Sequence, residues 1–508
     1  MAQGDLRDHL VAYFEDHHKF LEAGALQLLL NDHQPLLLSR QLLEGTPTDS
    51  PFVTQAMVEA MIARRAVSTS SGVAGFARLD TAVRSPASAR VAAEPFTLIA
   101  EGFNEPNAAI GPLGAFESLF LSRYRALHHL LSGRPDLPNV RSLSELRADH
   151  GAASVIVMIR EVRQTAERKH LILQVEDESG SAELLVPRDS PAAHEPYVSD
   201  EVIGATIVFP RERGRLPRVQ SVQRPDVPRT RVGGRASRPS RVLFISDLHI
   251  GSRSFLDRAW DRLSDFLYGR GPAPELAAEI RHVVIAGDLV DGIGVYPKQE
   301  RDLAIEDIFE QYTELGRRLA QLPNTLNIIA VPGNHDAVCP AEPQPNLPAK
   351  LREQLPRNVR SLGNPSTFAL DGVVIEAYHG RSFDDLIPAL PGASYARPTE
   401  VMKRMLAMRH LAPIYGERTP LAPLPRDGLV IDPAPDILVT GHAHTYGVDQ
   451  HRGVLLLNAS TWQAETEYQR MRNISPVPAR AAVVDLTSLR LHSLDFSSEV
   501  PRVNGPPN

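Results

Sequence analysis

The chain has 508 residues, 43% of them hydrophobic and 23% charged, and a net charge of −7. That length implies about three domains, because a single core seldom grows past ~250 residues, and the acidic balance excludes blanket attraction to nucleic acid. No stretch approaches the ~20 apolar residues of a membrane span, no basic-then-apolar leader opens the sequence, and the lone cysteine, Cys339, excludes an intrachain disulfide; a cytoplasmic protein with no membrane partner is expected.

Residues 1–65 read as a small helical module, since Leu6, Leu10, Tyr13 and Phe14 share one helical face. Residues 66–104 read as a flexible linker: the run from Ser68 to Gly72 and its Ala/Gly/Arg continuation cannot bury enough apolar surface to order itself. In the helical segment 105–150, Phe116, Phe120, Tyr124, Leu127 and Leu131 form one apolar stripe, stopped by Gly133 and Pro135.

The period then changes. Over 151–228 the stretches Val155–Val162, Leu171–Val175, Ala182–Val186 and Ile203–Phe209 read as strands, with Asp177–Gly180 as a tight turn. Short strands of this kind predict a small Greek-key barrel, an OB-fold, which binds single strands or serves as a docking surface. Ten arginines between 211 and 241 face only Glu212 and Asp226. Two readings stand: a phosphate-binding strip with Arg211, Arg213, Arg215 and Arg218 on DNA, or a linker, as the Pro and Gly residues of the basic segment 229–240 suggest.

From 241 to 495 apolar strands (Val242–Ser246, Val283–Ala286, Leu326–Val331, Val373–Ala377, Ile437–Thr440) alternate with amphipathic stretches such as 255–268 and 303–322. This predicts α/β layers with chemistry at the strand ends. Residues 496–508 read as a disordered tail.

Each strand runs into a polar fragment: Asp247-Leu248-His249, Gly287-Asp288, Gly333-Asn334-His335-Asp336, Tyr378-His379-Gly380 and Gly441-His442-Ala443-His444. Two divalent cations about 3.5–4 Å apart need a bridging anion and further oxygen and imidazole ligands from several strands. A carboxylate suits the bridge, the amide oxygen of Asn334 suits a neutral ligand, and mixed imidazole and carboxylate donors point to manganese, iron or zinc. His335 is suited to stabilise or protonate a departing oxygen, Asp336 to orient it, and Asp291 to anchor a ligand from behind.

These fragments resemble the calcineurin-like metallophosphoesterases, a β-sandwich flanked by helices. The resemblance implies one metal on Asp247, His249, Asp288 and His444, a second on Asp288, Asn334, His379 and His442, and His335 as catalytic histidine. Closer still, Ala341–Pro345, Arg409–Gly416, Ser460–Gln463 and Asn473–Pro476 are similar to the small subunits of archaeal family D DNA polymerases, although metal binding requires none of them. That resemblance implies a two-metal, manganese-dependent 3′→5′ exonuclease acting on single-stranded DNA or primer 3′ ends. It also implies a heterodimer with a large catalytic subunit that uses Mg2+ for synthesis. The alternatives are a scaffold subunit with a vestigial site and a stand-alone repair nuclease.

Overall fold

The computed structural model describes residues 96–103, 114–147, 151–167, 169–210, 212, 215–471 and 474–505, with scattered positions between 10 and 61. Two units are distinguished, Met1–Ala89 and Arg90–Asn508. In the first, a helix (Ala23–Asn31) and a two-residue strand pair accompany a small buried cluster that includes Leu10, Phe14, Leu29 and Val53. Leu10 and Phe14 are thus buried together, as one helical face requires; Leu6, Tyr13 and the linker expected over 66–95 lie outside the described residues.

The second unit is built on two facing sheets. The first holds β7 (Arg241–Ile245), β8 (Ile280–Ala286), β9 (Asn327–Val331), β10 (Val359–Ser361), β16 (Arg480–Asp485), β17 (Leu491–Asp495) and β18 (Arg502–Asn504), in the order β10-β9-β8-β7-β16-β17-β18. The second runs β14-β15-β13-β12-β11-β1, from Tyr446–His451, Val454–Ala459, Ile437–Thr440, Val373–Ala377, Ser366–Leu370 and Phe96–Glu101 respectively. Phe244, Val284 and Val331 of one sheet meet Phe368, Ile375 and Val439 of the other in a fully buried core.

Helices α2 (Asp257–Leu267) and α3 (Ile308–Leu319) cover the outer face of the first sheet through Trp260, Tyr312 and Leu315. Helices α4 (Phe383–Ala389) and α5 (Pro398–Met408) cover the second through Phe383, Met402 and Met405. Strands covered on both faces must be apolar on both, so they read as continuous runs rather than alternating ones. The layering is helix–sheet–sheet–helix, as expected of a β-sandwich flanked by helices. Strands β7 to β10 are parallel, so each needs a crossover. These crossovers leave from the C-terminal strand ends that carry the polar fragments.

Between β1 and β7 the chain makes helix α1 (Gly114–Leu131) and a closed barrel of β2 (Ala152–Gln164), β3 (Leu171–Asp177), β4 (Gly180–Val186), β5 (Val202–Val208) and β6 (Arg218–Gln223). The barrel order is β2-β3-β4-β6-β5, with β5 pairing back on β2. Val155, Val157, Leu173, Val175 and Ile203 fill its interior, the alternate residues of each strand.

Three expected boundaries are corrected. Residues 96–101 are not linker: they form β1, antiparallel to β11, with Phe96 stacked on Phe368 at 5.9 Å. An edge strand has one neighbour, here some 270 positions away, so local composition carries no sign of it. Nor is 496–508 all tail, because Phe496 is buried against Trp462 and Arg502–Asn504 pair with β17. Within 105–150 the helix covers only Gly114–Leu131, followed by turns and a short 3₁₀ turn at Leu143–Glu145.

A buried ionic knot joins α1, the barrel and the sandwich. Arg123 Nε donates to Asp427 Oδ2 at 2.7 Å, and its Nη1 donates to Pro413 O at 2.6 Å and Asp200 O at 3.4 Å. Burial and the Arg123 charge push His410 down to about 4. Its neutral ring therefore donates from Nε2 to Asp427 at 2.9 Å and accepts the Ala412 amide at Nδ1. Removing one partner of such a pair strands a buried charge, which costs about 3–5 kcal/mol. Arg123→Ala is expected to lower unfolding stability by about that amount in urea titrations; a loss under about 1 kcal/mol would place the knot among ordinary surface pairs.

Candidate metal centre

Five of the side chains named as ligands leave the strand ends in left-handed backbone: Asp247 (φ 52°), His249 (50°), Asp288 (48°), His442 (63°) and His444 (54°). For residues with a Cβ this conformation costs about 1–2 kcal/mol each, so the surroundings must hold it. They do so by cross-loop hydrogen bonds: Asp247 N to Gly287 O, His249 N to Asp288 O, and Gly441 N to His379 O. Two glycines allow the loops to close up. A Cβ on Gly287 would lie 2.3 Å from His379 Nδ1, and one on Gly441 would lie 2.0 Å from Ser246 Oγ.

The donor atoms converge in two groups that share Asp288. Asp247, His249, Asp288 and His444 form one and Asp288, His379 and His442 the other, with ligand atoms within 4.8 Å of one another. His444 Nε2 lies 3.1 Å from His249 Nε2 and 3.2 Å from Asp247 Oδ1. His379 Nε2 lies 3.1 Å from Asn334 Oδ1 and 3.3 Å from Asp288 Oδ2. His442 turns its Nε2 to Asp384 Oδ1 at 3.2 Å, which leaves Nδ1 for the cluster.

His379 tests whether this set suits a cation. Its Nδ1 donates to the Ala286 carbonyl at 2.9 Å, so in the neutral ring the Nε2 lone pair faces two oxygen acceptors. Only a proton or a metal ion between them removes that repulsion. Burial alone lowers such an imidazole, yet the Asp288 carboxylate outweighs it and lifts His379 to about 10. Burial likewise raises Asp288, but His379 and His335 hold it well below the usual carboxylate range. The arrangement fits cations: Asp247, His249, Asp288 and His444 would hold one, and Asp288, Asn334, His379 and His442 a second.

His335 lies beside the pair without joining it. Its amide donates to Asp288 Oδ1 at 2.9 Å and its Nδ1 to the Asp291 carbonyl at 2.8 Å, leaving Nε2 toward the cleft. Asp336, expected to orient that ring, does not do so. Its carboxylate accepts from the amides of Gly333 (2.8 Å) and Leu289 (3.0 Å) and from Tyr312 OH (2.8 Å), so it holds the loop rather than the His335 ring. Asp291 accepts from His249 Nδ1 at 2.9 Å.

The arginine run is mostly committed elsewhere. Arg211 and Arg213 lie outside the described residues. Arg215 pairs with Glu212, Arg224 with Glu195 and Glu201, Arg231 with Asp436, Arg238 with Asp371, and Arg241 with Glu279 and Asp485. Arg218 opens β6 on an exposed face. A continuous phosphate strip is not what the described arginines form, because five of them are ion-paired and, Glu212 apart, the partners come from parts of the chain that composition over 211–241 does not include.

Sequence reasoning left several supporting residues unassigned. Gln463 Nε2 donates to Asp291 Oδ1 at 3.0 Å, while Thr461 Oγ1 and the Trp462 amide bond the Asp247 carbonyl. Gln344 bridges Gly333 O to the side chain of Asn364, whose Oδ1 accepts the His379 amide at 2.8 Å. Gln469 donates to His444 Nδ1 at 2.7 Å. The available signal was the motifs Ala341–Pro345 and Ser460–Gln463, which metal binding alone does not require.

The site opens into a cleft of about 530 Å³. Among the described residues no helix is long and apolar enough to cross a membrane. Residues 242–448 match a family model that describes the B subunits of DNA polymerases alpha and epsilon. The chain is 40% identical over 376 residues to the DNA polymerase II small subunit of Archaeoglobus fulgidus, covering 73% of this chain and 75% of that one. The corresponding protein of Methanothermobacter thermautotrophicus is 40% identical (76% and 80% covered) and that of Thermoplasma acidophilum 35% identical (75% and 78%). Among solved structures, Vacuolar Protein Sorting 29 from Cryptosporidium parvum aligns at 19% identity and TM-score 0.28, over 52% of this chain and 96% of its own.

Cations that bind only the folded form stabilise it, by about 2.7 kcal/mol at a hundred times the dissociation constant. Manganese is therefore expected to raise Tm in a concentration-dependent way. Asp288→Asn, which removes a buried charge and a shared ligand, should leave the metal-free protein folded and erase that rise; an unchanged rise in the variant would exclude Asp288 as a ligand.

Proposed function

Since the chain belongs to the DNA polymerase II small-subunit family, we propose that it pairs with a large catalytic subunit in replication and carries a two-metal 3′→5′ exonuclease that trims primer ends. The observation that carries the nuclease reading is completeness: each of the seven expected ligand side chains reaches the cluster, and Asp288 is common to both halves. A vestigial scaffold would have no need to keep five residues in left-handed backbone around a converging set of carboxylates and imidazoles.

The bound cations, Mn2+ by the family resemblance, would supply positive charge beside the phosphoryl oxygens and lower the pKa of an attacking water. The chain's own residues do the rest. Asp291 and Gln469 fix the rings of His249 and His444. The Asp291 carbonyl fixes His335 through Nδ1, so Nε2 is the atom left for the departing 3′-oxygen, which it protonates when the ring carries a second proton, a form that burial disfavours. Direction along the strand follows the family resemblance. Phosphodiester hydrolysis at a primer end removes the last nucleotide, and the partner subunit resumes synthesis with Mg2+. We assign residues 241–504 together with 96–101 to the nuclease, and 151–228 to an OB-type barrel for strand or partner contact. The cytoplasm, where the DNA is, is the proposed location.

With 5′-labelled single-stranded DNA and manganese, the purified chain should produce a ladder of shortening products. Asp288→Ala should abolish it, and His335→Ala should slow it by roughly 10²–10⁴-fold. Intact DNA, with or without the large subunit, or equal cleavage by Asp288→Ala, would overturn the assignment.

A further inference from the structure

The cleft above the metal cluster has two chemically different walls. On the His335 side runs the loop Gly292–Tyr296, in which Ile293 is 52% and Val295 38% exposed. Exposed apolar residues are common on loose loops, but this loop is pinned. Gln311 Oε1 accepts the Gly292 amide at 2.9 Å, Gln299 Oε1 accepts the Val295 amide at 2.9 Å, and Gln299 Nε2 donates to Asp291 O at 2.8 Å. Tyr296 lines the cleft, its ring 6.3 Å from that of His335 and its hydroxyl donating to Asp302 at 3.0 Å. Ile474 also lines the cleft, near His444, since its amide bonds the carbonyl of Gln469, which holds that ring.

On the His379–His442 side two arginines line the cleft beside Asp384. Arg381 follows His379 by two residues, and Arg418 donates its amide to Asp385, the neighbour of the Asp384 that binds His442. Among the described residues neither guanidinium is ion-paired, in contrast to most described arginines of the 211–241 run; Arg381 makes one bond, to Pro340 O at 3.3 Å. A rigid apolar wall with an aromatic ring, a metal cluster and an unpaired arginine wall follow one another across 530 Å³, room for a nucleotide.

We infer that the cleft sorts an unpaired nucleic-acid end by its parts: the terminal base packs on Tyr296, Val295 and Ile474, and the phosphates preceding it lie on Arg381 and Arg418. This rests on the nuclease reading above and adds the device by which that site distinguishes a frayed end from a paired one. A base still stacked in a duplex cannot reach the Tyr296 wall, whereas any unstacked base can, because every base offers a π-face.

The test reads binding by fluorescence anisotropy, using a 5′-labelled single-stranded hexanucleotide in EDTA and in Ca2+. One form of the oligonucleotide ends in a normal 3′ nucleotide and the other in an abasic 3′ residue. Wild type should bind the normal end about 5- to 100-fold more tightly than the abasic one. Tyr296→Ala should lose that preference, and Tyr296→Phe should keep it. The pair Arg381→Ala/Arg418→Ala should weaken both oligonucleotides equally and reduce the salt slope by about 1.4, two single-strand phosphate contacts. Indifference of the wild type to the missing base, or a preference that survives in Tyr296→Ala, would overturn the inference. The abasic comparison in the wild-type chain needs no variant to fold. Because binding is read without hydrolysis, an absence of cleavage counts against the nuclease reading alone, while cleavage with an indifferent Tyr296 counts against the base wall alone.

Discussion

Three carboxylates, Asp247, Asp288 and Asp291, are buried within one side-chain cluster, and the architecture around them follows from the need to compensate that charge. An ionised carboxylate without partners is expelled from a protein interior or neutralised. Here each has partners of a definite kind: imidazoles from four different loops, backbone amides at the strand ends, and amide side chains from Gln299 and Gln463. No single loop could supply them. Two sheets packed face to face bring five strand ends to one edge, and that convergence assembles so many opposite partners at one point.

The second layer around the site is made largely of neutral amides. Gln299, Gln311, Gln344, Asn364, Gln463 and Gln469 each tie a ligand, its supporting residue or the loop that carries one to another segment of the fold. Neutral side chains suit this place, since they add directional hydrogen bonds without further charge in a low-dielectric interior. The Arg409–Gly416 segment does comparable work at a different boundary. Arg409 Nε caps the Ile431 carbonyl, the Pro413 carbonyl and Asp427, which His410 also binds, accept from Arg123 of helix α1, and Tyr415 packs on Phe116 and Phe120. The motif therefore reflects the joining of modules rather than the chemistry.

Much of the centre could be read before the fold was known, for a physical reason. Metal ligands must be specific residue types at strand ends, and strands buried on both faces announce themselves as apolar runs such as Val283–Ala286, so the position of Asp288 followed from local sequence. The readings that failed all depend on distant partners. Asp336 adjoins His335 in the chain but turns to Tyr312, 24 residues upstream. Arg224, Arg231 and Arg238 look unpaired until Glu201, Asp436 and Asp371 arrive from elsewhere. The strand at Phe96–Glu101 exists only because Ser366–Leu370 presents an open edge.

That edge strand has a mechanical consequence. The chain enters the sandwich at β1, leaves to build α1 and the barrel, and re-enters at β7, so the barrel is spliced into the sandwich at two ends. A module hung on one tether can pivot about it; a module held at two ends and clamped by the Arg123–Asp427 knot cannot swing freely and transmits load as shear. Force applied to the barrel by a bound strand or partner would therefore reach β7, whose end carries Asp247 and His249, with little slack between.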